Sequence, residues 1–155
     1  MAYAEDLLEQ AGHLVRRDRK RPKQASLRRA ISTAYYALFH LLVADGVRNW
    51  KQTDQRNTFA RAFDHRVMKE ASNRMMRSVP GGTAYASLRW LANSFVELQQ
   101  ARHLADYDNS KRWSREEAEG MVQLAQTAFE TWVEVRQTAE AQRYLLSLFL
   151  RRRVE

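Results

Sequence analysis

The longest apolar stretch of the chain predicts a buried helix over residues 26–45, which read SLRRAISTAYYALFHLLVAD. Between positions 31 and 44 the non-apolar side chains, apart from two tyrosine hydroxyls, are Ser32, Thr33 and His40. A helix that is apolar nearly all round must be buried on most of its circumference. Its length would allow a membrane span, but the arginines, histidine and aspartate within it favour the central helix of a soluble bundle.

Helical periodicity predicts a first amphipathic helix over residues 3–17. Its apolar face is formed by Leu7, Leu8, Ala11, Leu14 and Val15. Ser26 is then predicted to cap the central helix, and Gly46 to end it in the left-handed conformation.

The middle of the chain predicts one or two short helices over residues 54–63 and 64–76, with Asp54 as a candidate N-cap. Pro80-Gly81-Gly82 indicates a turn. A long helix is predicted over residues 84–106 because Leu88, Leu91, Phe95 and Leu98 form an apolar stripe. Arg102 occupies the next position of that stripe.

Ser114 and Glu117 have the spacing of a capping box and predict the start of the last long helix. Helical character continues towards Arg153, with a break expected at residues 136–140 or an end that projects to a partner. The pattern as a whole predicts an all-α, up-and-down bundle of four principal helices plus shorter ones, in a single domain over residues 1–155.

Composition restricts the chemistry. The chain has no cysteine, so disulfides and thiolate metal ligands are excluded. The four histidines have no paired spacing, and Gly-rich phosphate loops and hydrolase motifs are absent. We therefore expect no metal and no cofactor. The N-terminus lacks the pattern of a signal sequence, which makes a cytoplasmic protein without a membrane partner the expectation.

The formal net charge is +8, and eight of the fourteen residues from 16 to 29 are basic. Such density attracts polyanions. The residues predicted to contact nucleic acid are Arg16, Arg17, Arg19, Lys20, Arg21, Arg28 and Arg29. A solvated junction between helices and a docking face for an acidic protein remain alternatives.

One candidate site lies at the end of the long helix. Arg102 and Asp106 are four residues apart and therefore neighbours, and His103 and Tyr107 form the adjacent pair. Because Arg102 falls on an apolar stripe, its guanidinium should be partly buried and paired with Asp106. This pair is either a structural clamp or part of a ligand site.

A second candidate combines Arg61, Asp64 and His65. A histidine moves protons near neutral pH and an arginine holds phosphate, which suits phosphodiester chemistry. The alternative is a helix N-cap at Asp64 with a surface histidine. His40, on the central helix, is either a core histidine or a catalyst.

Two segments resemble known sequences. RAISTAYYALFHLL (29–42) resembles the second helix of HEPN-domain proteins, and QQARHLADYD (99–108) resembles the Arg-x-x-Ala-Asp-Tyr signature of a bacterial branch of that superfamily. The resemblance implies a helical homodimer. It also implies a ribonuclease or toxin of a toxin–antitoxin or phage-defence system, or a nucleotide-binding module, with RNA, an antitoxin or a nucleotidyltransferase as partner.

The chain departs from the active relatives, which carry Arg and His separated by four to six residues. Only Arg102, Ala105, Asp106 and Tyr107 match the signature. If RNA is cut without metal, His65 or His103 is the predicted proton carrier, with Arg102 and Arg61 holding phosphate and Asp106 orienting a partner. The alternative is a non-catalytic module that docks a partner protein. The apolar residues 144–150 are predicted to pack at a homodimer interface or to fold back onto the bundle.

Overall fold

The computed structural model describes residues 2–78 and 83–151, and these residues form seven α-helices and no strand. The helices are α1 (Tyr3–Arg16), α2 (Gln24–Val47), α3 (Arg56–Ala60), α4 (His65–Arg77), α5 (Thr83–Tyr107), α6 (Arg115–Val135) and α7 (Ala139–Phe149). A single 3-10 turn, Thr53–Gln55, precedes α3. The predicted all-α helical bundle is confirmed. The predicted turn at Pro80-Gly81-Gly82 and the chain end at Arg152 and Arg153 lie outside the described residues.

The chain is divided into two compact units. The first contains residues up to Leu41 together with Glu97–Glu130, and the second contains Leu42–Val96 together with residues from Thr131 on. Helices α2, α5 and α6 each contribute residues to both units. The expectation of one domain over residues 1–155 stays a prediction.

In the first unit α1 and the first part of α2 run antiparallel. The ring of Tyr3, at the start of α1, contacts that of His40, while Val15, at its end, shares an apolar cluster with Leu27. The buried members of that cluster are Val15, Leu27, Ala30, Ile31, Ala101, Ala105, Trp113 and Ala118. The apolar face predicted for α1 and the buried position predicted for α2 follow from this packing.

Helix α2 alone among the described residues has the length and composition of a membrane-spanning helix, and most of its apolar window is buried inside the protein. Burial of that window fits the core position that the sequence predicts for this helix.

Both predicted caps of α2 are wrong. The helix begins at Gln24, so Ser26 lies inside its first turn. Before the helix, the carboxylate of Asp18 accepts a hydrogen bond from the backbone N–H of Lys23 at 3.0 Å, which lowers the pKa of Asp18. Gly46 also lies within α2, where a Cβ atom would stand 2.7 Å from Cζ of Phe63. Close approach of that ring, rather than a left-handed turn, requires glycine.

Helix α4 is capped by Asp64, whose Oδ1 accepts hydrogen bonds from the backbone N–H groups of Arg66 (2.8 Å) and Val67 (3.2 Å). The alternative interpretation of Asp64 as an N-cap is thus confirmed. Asp54 caps nothing, because it lies within the 3-10 turn and neither that turn nor α3 has a side-chain cap. That prediction is wrong.

The predicted helix starts near the C-terminal end are confirmed. The backbone N–H of Ser114 donates to Glu117 Oε1 at 3.0 Å, and the N–H of Glu117 donates to Ser114 Oγ at 3.1 Å, which is the reciprocal geometry of a capping box. The expected break falls between Val135 and Ala139, and Thr138 caps the new helix by accepting from the N–H of Ala141.

Helix α7 packs against α4 within the second unit. Tyr144, Leu145 and Leu148 are buried there, and the hydroxyls of Tyr144 and Ser72 are 2.7 Å apart. The segment therefore folds back onto its own unit. Leu146 and Leu150 stay exposed, and dimerisation through this segment stays a prediction.

Candidate functional site

Arg102 is held on three sides in the first unit. Its Nη1 lies 3.7 Å from Oδ2 of Asp106, and its Cζ lies 5.3 Å and 5.6 Å from the ring centroids of Tyr35 and Tyr36. The Arg102 side chain is only 13% exposed. The ion pair predicted from the spacing on α5 is confirmed, and the two tyrosine rings of α2 add cation–π contacts.

The carboxylate of Asp106 has a second partner. The hydroxyl of Ser32, on α2, donates to Oδ2 of Asp106 at 3.3 Å. Arg102 and Asp106 therefore join the last part of α5 to the middle of α2. Because little of the guanidinium reaches solvent, phosphate contact by Arg102 would require this clamp to open.

His103 and Tyr107 are exposed on the same helix, with ring centroids 5.1 Å apart. Tyr107 is 68% exposed, so its ring is available to stack on a flat ligand. The predicted roles of these two side chains stay predictions.

A groove of about 490 Å³ lies between α1 and α2. It is lined by Tyr3, Leu7, Gln10 and Leu14 from α1 and by Arg29, Ser32, Thr33, Tyr36 and His40 from α2. The clamp borders it, because Ser32 contacts Asp106 and Tyr36 contacts Arg102. This groove was not predicted from the sequence. Its signal was two stripes of equal helical spacing, one at positions 3, 7, 10 and 14 and the other at 29, 33, 36 and 40.

His40 lies at one end of the groove among aromatic rings. Its ring centroid is 5.0 Å from that of Tyr3 and 5.2 Å from that of Phe39. Burial lowers the pKa of His40 below its ordinary value of 6.5, so the imidazole is neutral at pH 7. A neutral imidazole can accept a proton from a bound hydroxyl group.

The other end of the groove leads to the basic link between α1 and α2. Leu14 and Arg29 line this end, and the link runs from Arg17 to Lys23. The exposed basic side chains here are Arg16, Arg17, Arg19, Lys20, Arg21, Lys23 and Arg29. The link thus supplies dense positive charge where the groove opens.

Arg28 differs from the other basic residues predicted to contact nucleic acid. Its guanidinium donates to the backbone carbonyls of Ala105 (2.8 Å), Asp108 (2.9 Å) and Lys111. These carbonyls lie at and beyond the C-terminal end of α5, where a helix leaves acceptors without intrahelical partners. Arg28 therefore fastens α2 to the end of α5.

The second predicted cluster lies in the second unit. Arg61 is exposed at the end of α3, and His65 is the first residue of α4. The hydrogen bond from Val67 is the main cause of a lowered pKa at Asp64, and Arg151 Nη2 lies 3.7 Å from its Oδ2. Asp64 thus orders the helix start. Joint action of Arg61 and His65 stays a prediction.

Within residues 2–78 and 83–151, no group of three or more His, Asp or Glu side chains is arranged to hold a metal ion. No protein family, no curated protein and no solved structure matches the chain. The fold defines an all-α helical-bundle protein, and any narrower class depends on the side chains described above.

Proposed function

We propose that this chain is a HEPN-like RNA-binding protein of a toxin–antitoxin or phage-defence type system, and that the groove between α1 and α2 binds single-stranded RNA. The observation that carries the proposal is the composition of the groove. It combines exposed aromatic surface at Tyr3, a cation at Arg29 and the hydroxyls of Ser32 and Thr33, and it opens onto the basic link.

Each of these features has a counterpart in single-stranded RNA. Unpaired bases stack on aromatic side chains, and phosphates attract Arg and Lys. The RNA backbone would follow the basic link, while a base would lie in the groove against Tyr3 and Tyr36. The resemblance of residues 29–42 to HEPN proteins covers the α2 wall of this groove.

The test is fluorescence anisotropy of a labelled 12-nucleotide single-stranded RNA at increasing salt. We expect affinity to fall steeply with salt, and the slope to become shallower when Arg29→Gln removes one phosphate contact. Tyr3→Ala should weaken binding at every salt concentration, by about 1–3 kcal/mol for one lost base stack. Arg66→Gln, at an exposed position of α4, is the matched control. Salt-independent binding, or equal loss in Arg29→Gln and Arg66→Gln, would contradict the proposal.

RNA cleavage without metal is the second candidate function, and the neutral His40 in the groove favours it. The imidazole would take the proton of a ribose 2′-hydroxyl while the 2′-oxygen attacks the adjacent phosphorus. The bond to the 5′-oxygen then breaks and water supplies its proton. The products are a 2′,3′-cyclic phosphate and a 5′-hydroxyl.

Separate variants distinguish the three candidate histidines. His40→Gln, His65→Gln and His103→Gln are compared by product analysis of end-labelled RNA in the presence of EDTA. Cleavage that only His40→Gln abolishes assigns His40 as the base. Loss in His65→Gln or His103→Gln would instead assign one of the residues predicted from the sequence, and absence of cleavage in the unmodified protein leaves binding as the function.

The burial of Arg102 against Asp106 favours binding without catalysis by Arg102 itself. It fits the alternative of a non-catalytic HEPN-like module that docks an antitoxin or a nucleotidyltransferase. Copurification of RNA-free protein with one such partner would support this alternative over RNA binding.

Homodimerisation belongs to the same proposal. Leu146, on α7, and Leu150, just after its last residue, are exposed apolar side chains. Exposed apolar surface of this kind is expected at a protein–protein interface. Replacing both by Glu should convert a dimer into a monomer in light scattering. A monomeric unmodified protein, or a dimer that resists both replacements, would refute the assignment.

A further inference from the structure

An apolar pocket in the second unit has no role in RNA binding as proposed above. Its volume is about 570 Å³, within the range of pockets that hold small molecules. The lining residues are Trp50, Gln55, Thr58, Phe59, Ala62 and Phe149. The pocket thus lies between the end of α7 and the segment from Trp50 to Ala62.

Aromatic rings form its walls in a fixed arrangement. The Phe59 centroid lies 5.2 Å from that of Trp50 and 5.0 Å from that of Phe149. The indole N–H of Trp50 donates to Oε1 of Gln55 at 2.9 Å, which fixes the ring although the residue is 46% exposed. The Phe59 ring meets Trp50 edge-to-face and is tilted against Phe149, and an aromatic cluster of this kind can accept one more ring.

Aromatic walls alone would also suit a cationic ligand, so the surrounding charge decides the class. Among the residues that the structure describes, no carboxylate lines the pocket. Nε of Arg56 donates to the carbonyl of Trp50 at 2.9 Å, which places a guanidinium beside the pocket. Residues 50–62, the segment that forms one side of the pocket, contain three Arg or Lys and one Asp. This charge repels a cation and attracts an anion.

We propose that the pocket binds a small aromatic anion, a planar ring system that carries a carboxylate, sulfonate or phosphate. The rings pack between Trp50, Phe59 and Phe149, and the acidic group lies on the side of Arg56. The proposal is independent of RNA binding, because every contact it uses lies in the second unit.

The test uses two fluorescent probes with closely similar ring systems, 1-anilinonaphthalene-8-sulfonate and the uncharged N-phenyl-1-naphthylamine. We expect the sulfonate to bind one site per chain, at least tenfold tighter than the neutral probe. Arg56→Gln should reduce that preference to less than threefold, while Arg66→Gln should leave it unchanged. Equal affinity for the two probes in the unmodified protein would overturn the anion assignment.

A second pair of variants tests the location. Thr58→Trp places an indole in the pocket and should lower the affinity for the sulfonate probe at least tenfold. Asn57→Trp, at the neighbouring exposed position, should leave that affinity unchanged. Circular dichroism confirms that each variant is folded. Unchanged binding in Thr58→Trp would refute the site, and displacement of the probe by dodecanoate in preference to naphthoate would refute the aromatic class.

Discussion

Replacing Arg102 by Ala should destabilise the protein far more than replacing an exposed arginine of similar pairing. Arg102 is 13% exposed and lies 3.7 Å from Asp106, while Arg66 on α4 is 87% exposed and lies 3.2 Å from Glu70. The exposed pair is the closer one. The difference in stability between the two alanine variants should therefore depend on burial and on the two tyrosine rings rather than on the ion-pair distance.

The magnitude follows from the surroundings of Arg102. Breaking a fully buried pair costs about 3–5 kcal/mol, but the Asp106 side chain is 30% exposed and keeps its bond from Ser32, so water can solvate it. Loss of the cation–π contacts adds about 1 kcal/mol. We expect Arg102→Ala to lower the free energy of unfolding by about 2–4 kcal/mol. Arg66→Ala should lower it by less than about 0.5 kcal/mol, as for other exposed pairs.

Urea unfolding followed by circular dichroism measures both values. A double-mutant cycle with Asp106→Ala should give a coupling energy of at least about 0.5 kcal/mol, as for other residues in contact. Arg102→Lys, which keeps the charge and loses the planar group, should fall between Ala and the unmodified protein. If Arg102→Ala costs no more than Arg66→Ala, the clamp does not stabilise this fold.

Three further results are expected. Gly46→Ala should lower the melting temperature, because the added Cβ would stand 2.7 Å from the Phe63 ring. Gly120→Ala should instead raise the free energy of unfolding by up to about 1 kcal/mol, since nothing lies within 4 Å of its Cβ and alanine favours helix. Stabilisation by both variants would contradict the packing of Phe63 against Gly46. Asp64→Ala removes the N-cap of α4 and should lower the free energy of unfolding by about 1 kcal/mol at pH 7. Because the folded-state pKa of Asp64 is below its ordinary 3.8, this cost should vanish in urea titrations as the pH falls through that lowered pKa. The pKa of His40 is also lower in the folded protein, so below pH 6.5 the unfolded chain binds more protons and the free energy of unfolding should fall as the pH drops. His40→Gln should make this pH dependence weaker. An identical pH profile in the variant would refute the role of His40.

Features encoded within one or two helical turns were predictable. The clamp followed from a cation on the stripe of Leu88, Leu91, Phe95 and Leu98, because a buried guanidinium needs a partner and i+4 supplies one. The capping box at Ser114 is equally local. In both cases the residues that interact are neighbours on the same helix, so spacing alone identifies them.

Features that depend on distant residues were not predictable in this way. Gly46 looks like a helix end until the ring of Phe63 is seen beside it. The role of Trp50 cannot be inferred from its neighbours in the sequence, because its pocket is completed by Phe149 near the other end of the chain. Likewise, the two stripes of the groove meet only once α1 and α2 are known to pack against each other.

The order in which the two units receive their segments affects how the chain folds during synthesis. The first unit needs Glu97–Glu130 to cover α2, yet Leu42–Val96 must be made before those residues. At typical rates of about 5–20 residues per second, synthesis of Leu42–Val96 and Glu97–Glu130 takes roughly 4–18 seconds, and until then this part of α2 lacks its covering residues. We therefore expect nascent chains that end before α5 to bind chaperones, and released full-length chains to bind them far less.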